Sequence, residues 1–275
     1  MRRALGTVAI FLAAFVALGF LLLPIVAIFV HTGPGHLLSQ LTSPAVVDAL
    51  VVSVKASVIA QALVLAFGTP TAYLLASRRF AGRSAVITLV ELPLVLPPAV
   101  AGLGLLVAFG RNGLLGSTFE VLGVSIPFTQ TAVVLAVTFV ASPLYVRQAI
   151  AAFESVDASL VAASRTLGAG STRTFFRVIL PLARAGLAAG FALSLARGLG
   201  EFGATIMFAG SLQGVTQTLP LAIYAEFDRN FDATLAMGAL LVAISAALLL
   251  SLKLSALWHG SRQSSRSRSD LLSWS

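Results

Sequence analysis

The sequence predicts an all-α integral membrane protein with six transmembrane helices. Both termini lie inside, and a pair of short helices sits at the cytoplasmic face between the fourth and fifth spans. Three observations predict this. Of 275 residues, 58% are hydrophobic and 10% charged, with a mean hydropathy of +0.97. Soluble domains carry about 25% charged residues, so lipid must solvate most of this surface. Apolar runs of bilayer length, about 20 residues, recur along the chain. The basic residues gather at alternate ends of those runs, as a topology signal does.

Ala4 to Val30 carries no charge. It is too long for a signal-peptide core and lacks a small-residue cleavage site, so it is read as a retained first span. The second span runs from about Ala49 to Ser77, with Lys55 inside. The third runs from Ser84 to Phe109, with Glu91 inside and Pro93, Pro97 and Pro98 interrupting its hydrogen-bond ladder. The fourth covers Thr131 to Ala151. The fifth covers Ala185 to Phe208 and encloses Arg197 and Glu201. The sixth, Ala233 to Leu252, is uncharged. Outer loops fall at His31 to Asp48, Gly110 to Gln130 and Gly210 to Asp232, all rich in turn formers. The Ser/Arg-rich tail reads as a disordered, solvated end attracted to anionic lipid.

The orientation follows from counting. One side collects 14 basic residues, from Arg2 and Arg3 through Arg78, Arg79 and Arg83 to the tail. The other side holds only Arg111 and Arg229, while Lys55 and Arg197 lie within spans. The side with 14 is therefore cytoplasmic.

Residues 152–184 do not fit in lipid. Asp157 suits an N-cap, Gly168 a C′ glycine, and Ser171 or Thr172 a second cap, with Pro181 limiting the helix that follows. The pattern is helix, glycine turn, helix. Phe175, Phe176, Ile179 and Leu180 alternate there with Arg173, Arg177 and Arg184. Two accounts stay open: an amphipathic helix on lipid headgroups, or a knob docking into a cytoplasmic partner.

Several functions are excluded. No cysteine is present, and His31, His36 and His259 lack metal-ligand spacing, so no metal or other cofactor is expected. The net charge of +8 lies at span ends, which argues against a nucleic-acid face. Neither lysine, Lys55 or Lys253, follows the glycine run of a phosphate loop. No nucleophile–base arrangement is visible, so the chain is not read as an enzyme.

Charges inside spans are functional candidates, since each costs at least about 2.5 kcal/mol at the bilayer centre. Arg197 and Glu201 are four apart and share a helix face. They form either a self-neutralising pair that permits insertion or a pathway- or dimer-facing pair. Pro97, Pro98 and Gly203 join them as candidates for the translocation path or dimer interface, because broken or close-packed backbone is tolerated where it faces protein or a cavity.

The stretch Ala162-Ala163-Ser164, then Gly168, then nine residues to Val178-Ile179-Leu180-Pro181 resembles the cytoplasmic signature of type I ABC importer permeases. The glycine, the spacing and Leu-Pro match; Ala162 stands where the signature has glutamate, and Ser164 replaces its second alanine. Arg197-Gly-Leu-Gly-Glu-Phe-Gly-Ala-Thr-Ile-Met207 and Thr216-Gln-Thr-Leu-Pro-Leu-Ala-Ile-Tyr224 resemble the molybdate branch of that family. So do Leu92-Pro-Leu-Val-Leu-Pro-Pro98, Gly110-Arg-Asn-Gly113 and Ser53-Val-Lys-Ala56. Sulfate permeases share parts of this pattern.

The resemblance covers about residues 48–255. It divides the chain into a first span with its outer loop (1–47), a type I permease domain with coupling segment 152–184 (48–255), and a cytoplasmic tail (256–275). It implies a permease of the prokaryotic plasma membrane that imports molybdate, with tungstate sharing the path. It also implies a homodimer in membrane lipid, two separate ATPase subunits and an extracytoplasmic oxyanion-binding protein. The ATPase-coupling residues it implies are Ala162, Ala163, Gly168, Phe175, Phe176, Leu180 and Pro181. A sulfate or thiosulfate permease is the nearest alternative. An ion-coupled secondary transporter is a more distant one and gives the cytoplasmic helices no task.

Overall fold

The computed structural model describes residues 2–31, 35 and 39–272, of which 2–6, 8, 9, 252, 253 and 255–272 are described as backbone alone. No strand occurs among them. The helices are α1 (Arg2–His31), α2 (Pro44–Ser77), α3 (Arg83–Val95), α4 (Pro98–Phe109), α5 (Gly116–Val121), α6 (Gln130–Glu154), α7 (Ala158–Thr166), α8 (Ser171–Leu199), α9 (Gly203–Ala209), α10 (Leu219–Glu226) and α11 (Phe231–Leu272).

The bundle is built around α6. Thr129 begins it by accepting the Ala132 N–H, and small or β-branched residues such as Ala132, Val133, Ala136, Val140, Ala141 and Ala149 bury on successive faces. Lipid tails give apolar helices no reason to associate, so close packing must supply the contact energy. α2 packs on one flank with Ala56, Ala60 and Val64. α8 packs on another through Gly186, Gly190 and Gly198: a methyl group at Gly186 would lie 2.5 Å from the Ala152 Cβ, and one at Gly198 2.9 Å from Val137. Polar pairs join the same helices. Gln61 donates to Ser194 at 3.2 Å, and Thr69 shares a 2.6 Å hydrogen bond with Tyr145.

The third span is broken. α3 and α4 meet at Leu96-Pro97 with a bend of 112°. Their outer ends nevertheless lie beside opposite ends of α6. Arg83 pairs with Glu154, and Glu91 with Arg147 at 3.5 Å, whereas Leu105 and Phe109 pack near Val133 and Phe208. The pair thus runs along α6 and, taken as one broken span, brings the candidate crossings to six. Glu91, a charge inside the third span, is paired with Arg147.

Three boundaries differ from expectation. The fifth span does not reach Phe208: α8 ends at Leu199, and α9 begins after a break at Gly200–Phe202. Pro181 does not close a separate helix. α8 is continuous from Ser171 because Phe175–Ile179 forms a π turn in which Leu180 donates to the Phe175 carbonyl. The wider turn accommodates a proline that would clash in a regular α turn. The third outer loop contains α10, whose Leu219 and Ala222 bury against Val46, Ala49 and Met237. α11 runs in its backbone from Phe231 through Leu272.

α1 stands apart. Its apolar stretch Ile10–His31 has no buried residue in the protomer.

Candidate functional site

Two features of the fold gather the candidate residues: the meeting of two helix breaks within the bundle, and the short helix at its basic end.

At the breaks, Gly203 opens α9 directly against Pro98, the first residue of α4. A Cβ at Gly203 would lie 2.6 Å from the Pro98 Cβ. One turn along, Gly102 approaches the α9 backbone, where a Cβ would lie 2.5 Å from the Ala204 carbonyl oxygen. α4 and α9 are therefore locked together by glycine contacts on both sides.

Glu201 lies inside the break, with its side chain 1% exposed. One carboxylate oxygen accepts the Ala204 N–H at 2.7 Å, and the other accepts from Arg197 Nη1 at 2.6 Å. Acids are stabilised at helix N-termini, where N–H groups lack intrahelical partners. Glu201 thus caps α9 as well as neutralising Arg197. Arg197 keeps a side chain 34% exposed, and Gly200, Pro98 and Ala99 at the two breaks are exposed as well. The sequence candidates Pro97, Pro98, Arg197, Glu201 and Gly203 all converge on these breaks. Lys55 lies elsewhere, exposed on α2.

Sequence reasoning missed the polar groups beside this region. Ser53 accepts the Leu219 N–H at 2.7 Å, tying α2 to the start of α10. Thr205 and Thr218 bury hydroxyl oxygens without a hydrogen-bond partner. No spacing rule links Ser53 to a residue 166 positions away.

At the basic end, Asp157 caps α7 by accepting the Ser159 N–H at 2.8 Å, and these hydrogen bonds lower its carboxyl below the usual value. Gly168 follows α7 with φ +81 and open space where a side chain would go. Ser164 and Thr174 hydroxyls meet at 3.0 Å and fix α7 against the start of α8. The expected coupling residues separate into two groups. Ala162, Ala163, Gly168, Phe176 and Pro181 are exposed, and neighbouring Leu167 is 88% exposed. Phe175 instead turns inward, edge-on to Tyr73 at 4.6 Å between ring centres, and Leu180 is half-buried.

Residues 68–264 match the family of binding-protein-dependent transport system inner membrane components. The chain belongs to that family. Its permeases are multi-pass proteins of the prokaryotic plasma membrane, and this one is of the type I ABC importer class, whose ATPase is a separate subunit. It is 42% identical to a molybdenum transport system permease protein of Mycobacterium bovis, over 88% of this chain and 91% of that one. Identity to the corresponding Escherichia coli K12 protein is 39%, over 74% and 89% of the two chains. A sulfate transport system permease of Synechocystis is 36% identical over 88% and 89%. The membrane part of a bacterial alginate ABC transporter shares the fold, with a TM-score of 0.67 at 18% identity over 92% of this chain and 93% of that one.

Proposed function

We propose that this chain is the membrane-spanning permease of a molybdate importer, with tungstate as a second cargo. The observation that carries the reading is identity of 42% to a molybdenum permease across nearly the whole of both chains. The uncovered α1 and the exposed surface at the breaks support a homodimer with the conduit between protomers. An extracytoplasmic binding protein delivers the oxyanion, and two ATPase subunits dock on the exposed α7 and Leu167–Gly168 turn at the cytoplasmic end.

Motion has a direct mechanical route. α8 is one helix of 29 residues, about 43 Å long. Its first residues adjoin α7, and its last adjoin the Gly200–Phe202 break. A displacement of α7 by the ATPases therefore travels along α8 to Glu201, Gly203 and Pro98. The bundle has two hinged spans there, so it can rock between inward and outward openings. The exposed face of Arg197 offers a cation to a passing oxyanion, while Glu201 keeps that cation from binding it tightly.

Reconstitution with ATPase and binding protein tests this. Radiolabelled molybdate should enter vesicles on ATP addition, with tungstate competing and sulfate competing weakly. Sulfate uptake that excludes molybdate would favour the sulfate reading, which the Synechocystis relative motivates. Uptake without any ATPase would overturn both.

A further inference from the structure

We propose that the basic end of the protomer holds a site for an anionic phospholipid, with the phosphate in a basic pocket and an acyl chain in an adjoining groove. The pocket, about 660 Å³, lies between α7 and the ends of α2, α3 and α6. Arg79, Arg83 and Arg165 line it, against a single carboxylate, Glu154. Glu154 is already engaged by Arg83, and Arg83 Nε also donates to the Leu75 carbonyl at 2.6 Å. Among the described residues, Arg79 and Arg165 have no carboxylate partner. The small side chain of Ala162 in the wall leaves the space between them open.

A second cavity, about 1110 Å³ and almost wholly apolar, adjoins the first in that Tyr73 is part of the lining of both. It climbs between α2 and α8 from Tyr73 and Thr172 to Ala62 and Phe191, walled by Leu65, Phe175 and Leu187. Ala62 to Tyr73 spans roughly 16 Å of helix rise, enough for much of an acyl chain in one leaflet. A free phosphate would use the pocket and leave the groove empty. A protein carboxylate would do the same. An amphiphile with a phosphate head uses both, and basic pockets between spans on the cytoplasmic side suit such heads. The inner-leaflet placement rests on the basic bias of the chain, and the site does not depend on which oxyanion is carried.

The test uses the full chain purified into nanodiscs of phosphatidylglycerol or phosphatidylcholine, with retained lipid counted by native mass spectrometry after detergent exchange. Wild type should retain phosphatidylglycerol in preference. Arg79→Gln with Arg165→Gln should cut that retention roughly thirtyfold, taking the usual contribution of each surface cation to anionic lipid binding. Ala162→Glu should cut it by filling and neutralising the pocket. Ala66→Trp should cut it by blocking the groove from an exposed position. If the double arginine variant does not fold, the other two decide. Equal retention of both lipids, or retention unchanged in these variants, would overturn the proposal. Binding that excess inorganic phosphate abolishes and Ala66→Trp leaves intact would assign the pocket to a free oxyanion instead. Unchanged lipid with lost ATPase co-purification would assign it to a partner carboxylate.

Discussion

Gly203 packs against Pro98 so closely that a methyl group on the glycine would lie 2.6 Å from the proline Cβ. This contact joins the breaks of two different spans, and neither backbone can withdraw without opening the other. Gly203→Ala and Gly102→Ala should each lower stability in detergent by about 1–3 kcal/mol, the usual cost of overpacking. Gly104→Ala, with nothing within 4 Å, should be neutral. Thermal unfolding of the three variants checks this; equal melting would show that the α4–α9 contact yields freely.

The Arg197–Glu201 pair gives a sharper test. Glu201→Gln leaves an uncompensated guanidinium in the membrane and should cost about 3 kcal/mol. The double change Arg197→Met with Glu201→Gln should recover much of that loss, since removing both charges is milder than removing one. If the pair serves the pathway, the double variant folds and still fails to transport. Recovery of both folding and uptake would reduce the pair to an insertion device.

At the basic end, Gly168→Val forces a β-branched residue to φ +81 and should weaken ATPase capture without affecting membrane insertion. Gly168→Asn should be tolerated, because asparagine accepts that conformation. Phe176→Asp should also reduce capture from its exposed position, whereas Phe175→Asp should instead destabilise the protomer through its contacts with Tyr73 and Phe153. Co-purification of the ATPase, read beside protein yield, separates these outcomes.

Topology is checked by labelling. Cysteines at Ser117 and Ser264 should react from outside and inside respectively. Equal or reversed labelling would refute the orientation derived from 14 basic residues against 2.

The lowered carboxyl of Asp157 sets a pH dependence for α7. Its cap is fully present above about pH 4, the unfolded value. It is lost as pH falls from there through the lower folded value. Amide exchange at Ser159 should accelerate in that window in wild type, and Asp157→Asn should flatten the change.

The sequence made the spans visible through their length and flanking arginines, and made the Asp157 cap and Gly168 turn visible through local chemistry. It hid what depends on distant partners. The glycines from Gly198 to Gly203 read as one permissive helix, and only the approach of Pro98 and the capping carboxylate of Glu201 convert them into a break. α10 reads as loop because its burial is supplied by α2 and α11. Pro181 reads as a stop, since the rule assumes four-residue spacing of hydrogen bonds, and the π turn replaces it with five. Phe175 and Phe176 look equivalent in the chain, and only packing sends one inward and leaves the other outside.

That π turn also fixes an angular phase. One extra residue in a helix rotates everything on one side of it by about 100° relative to the other. The start of α8, beside α7, and the remainder of the helix are therefore indexed separately along a single rod. Deleting one residue within Phe175–Ile179 would swing the surface at the basic end by roughly a quarter turn while leaving every residue of the helix beyond it in place. If that surface docks the ATPase as proposed, a single-codon change re-aims the permease toward a different motor subunit.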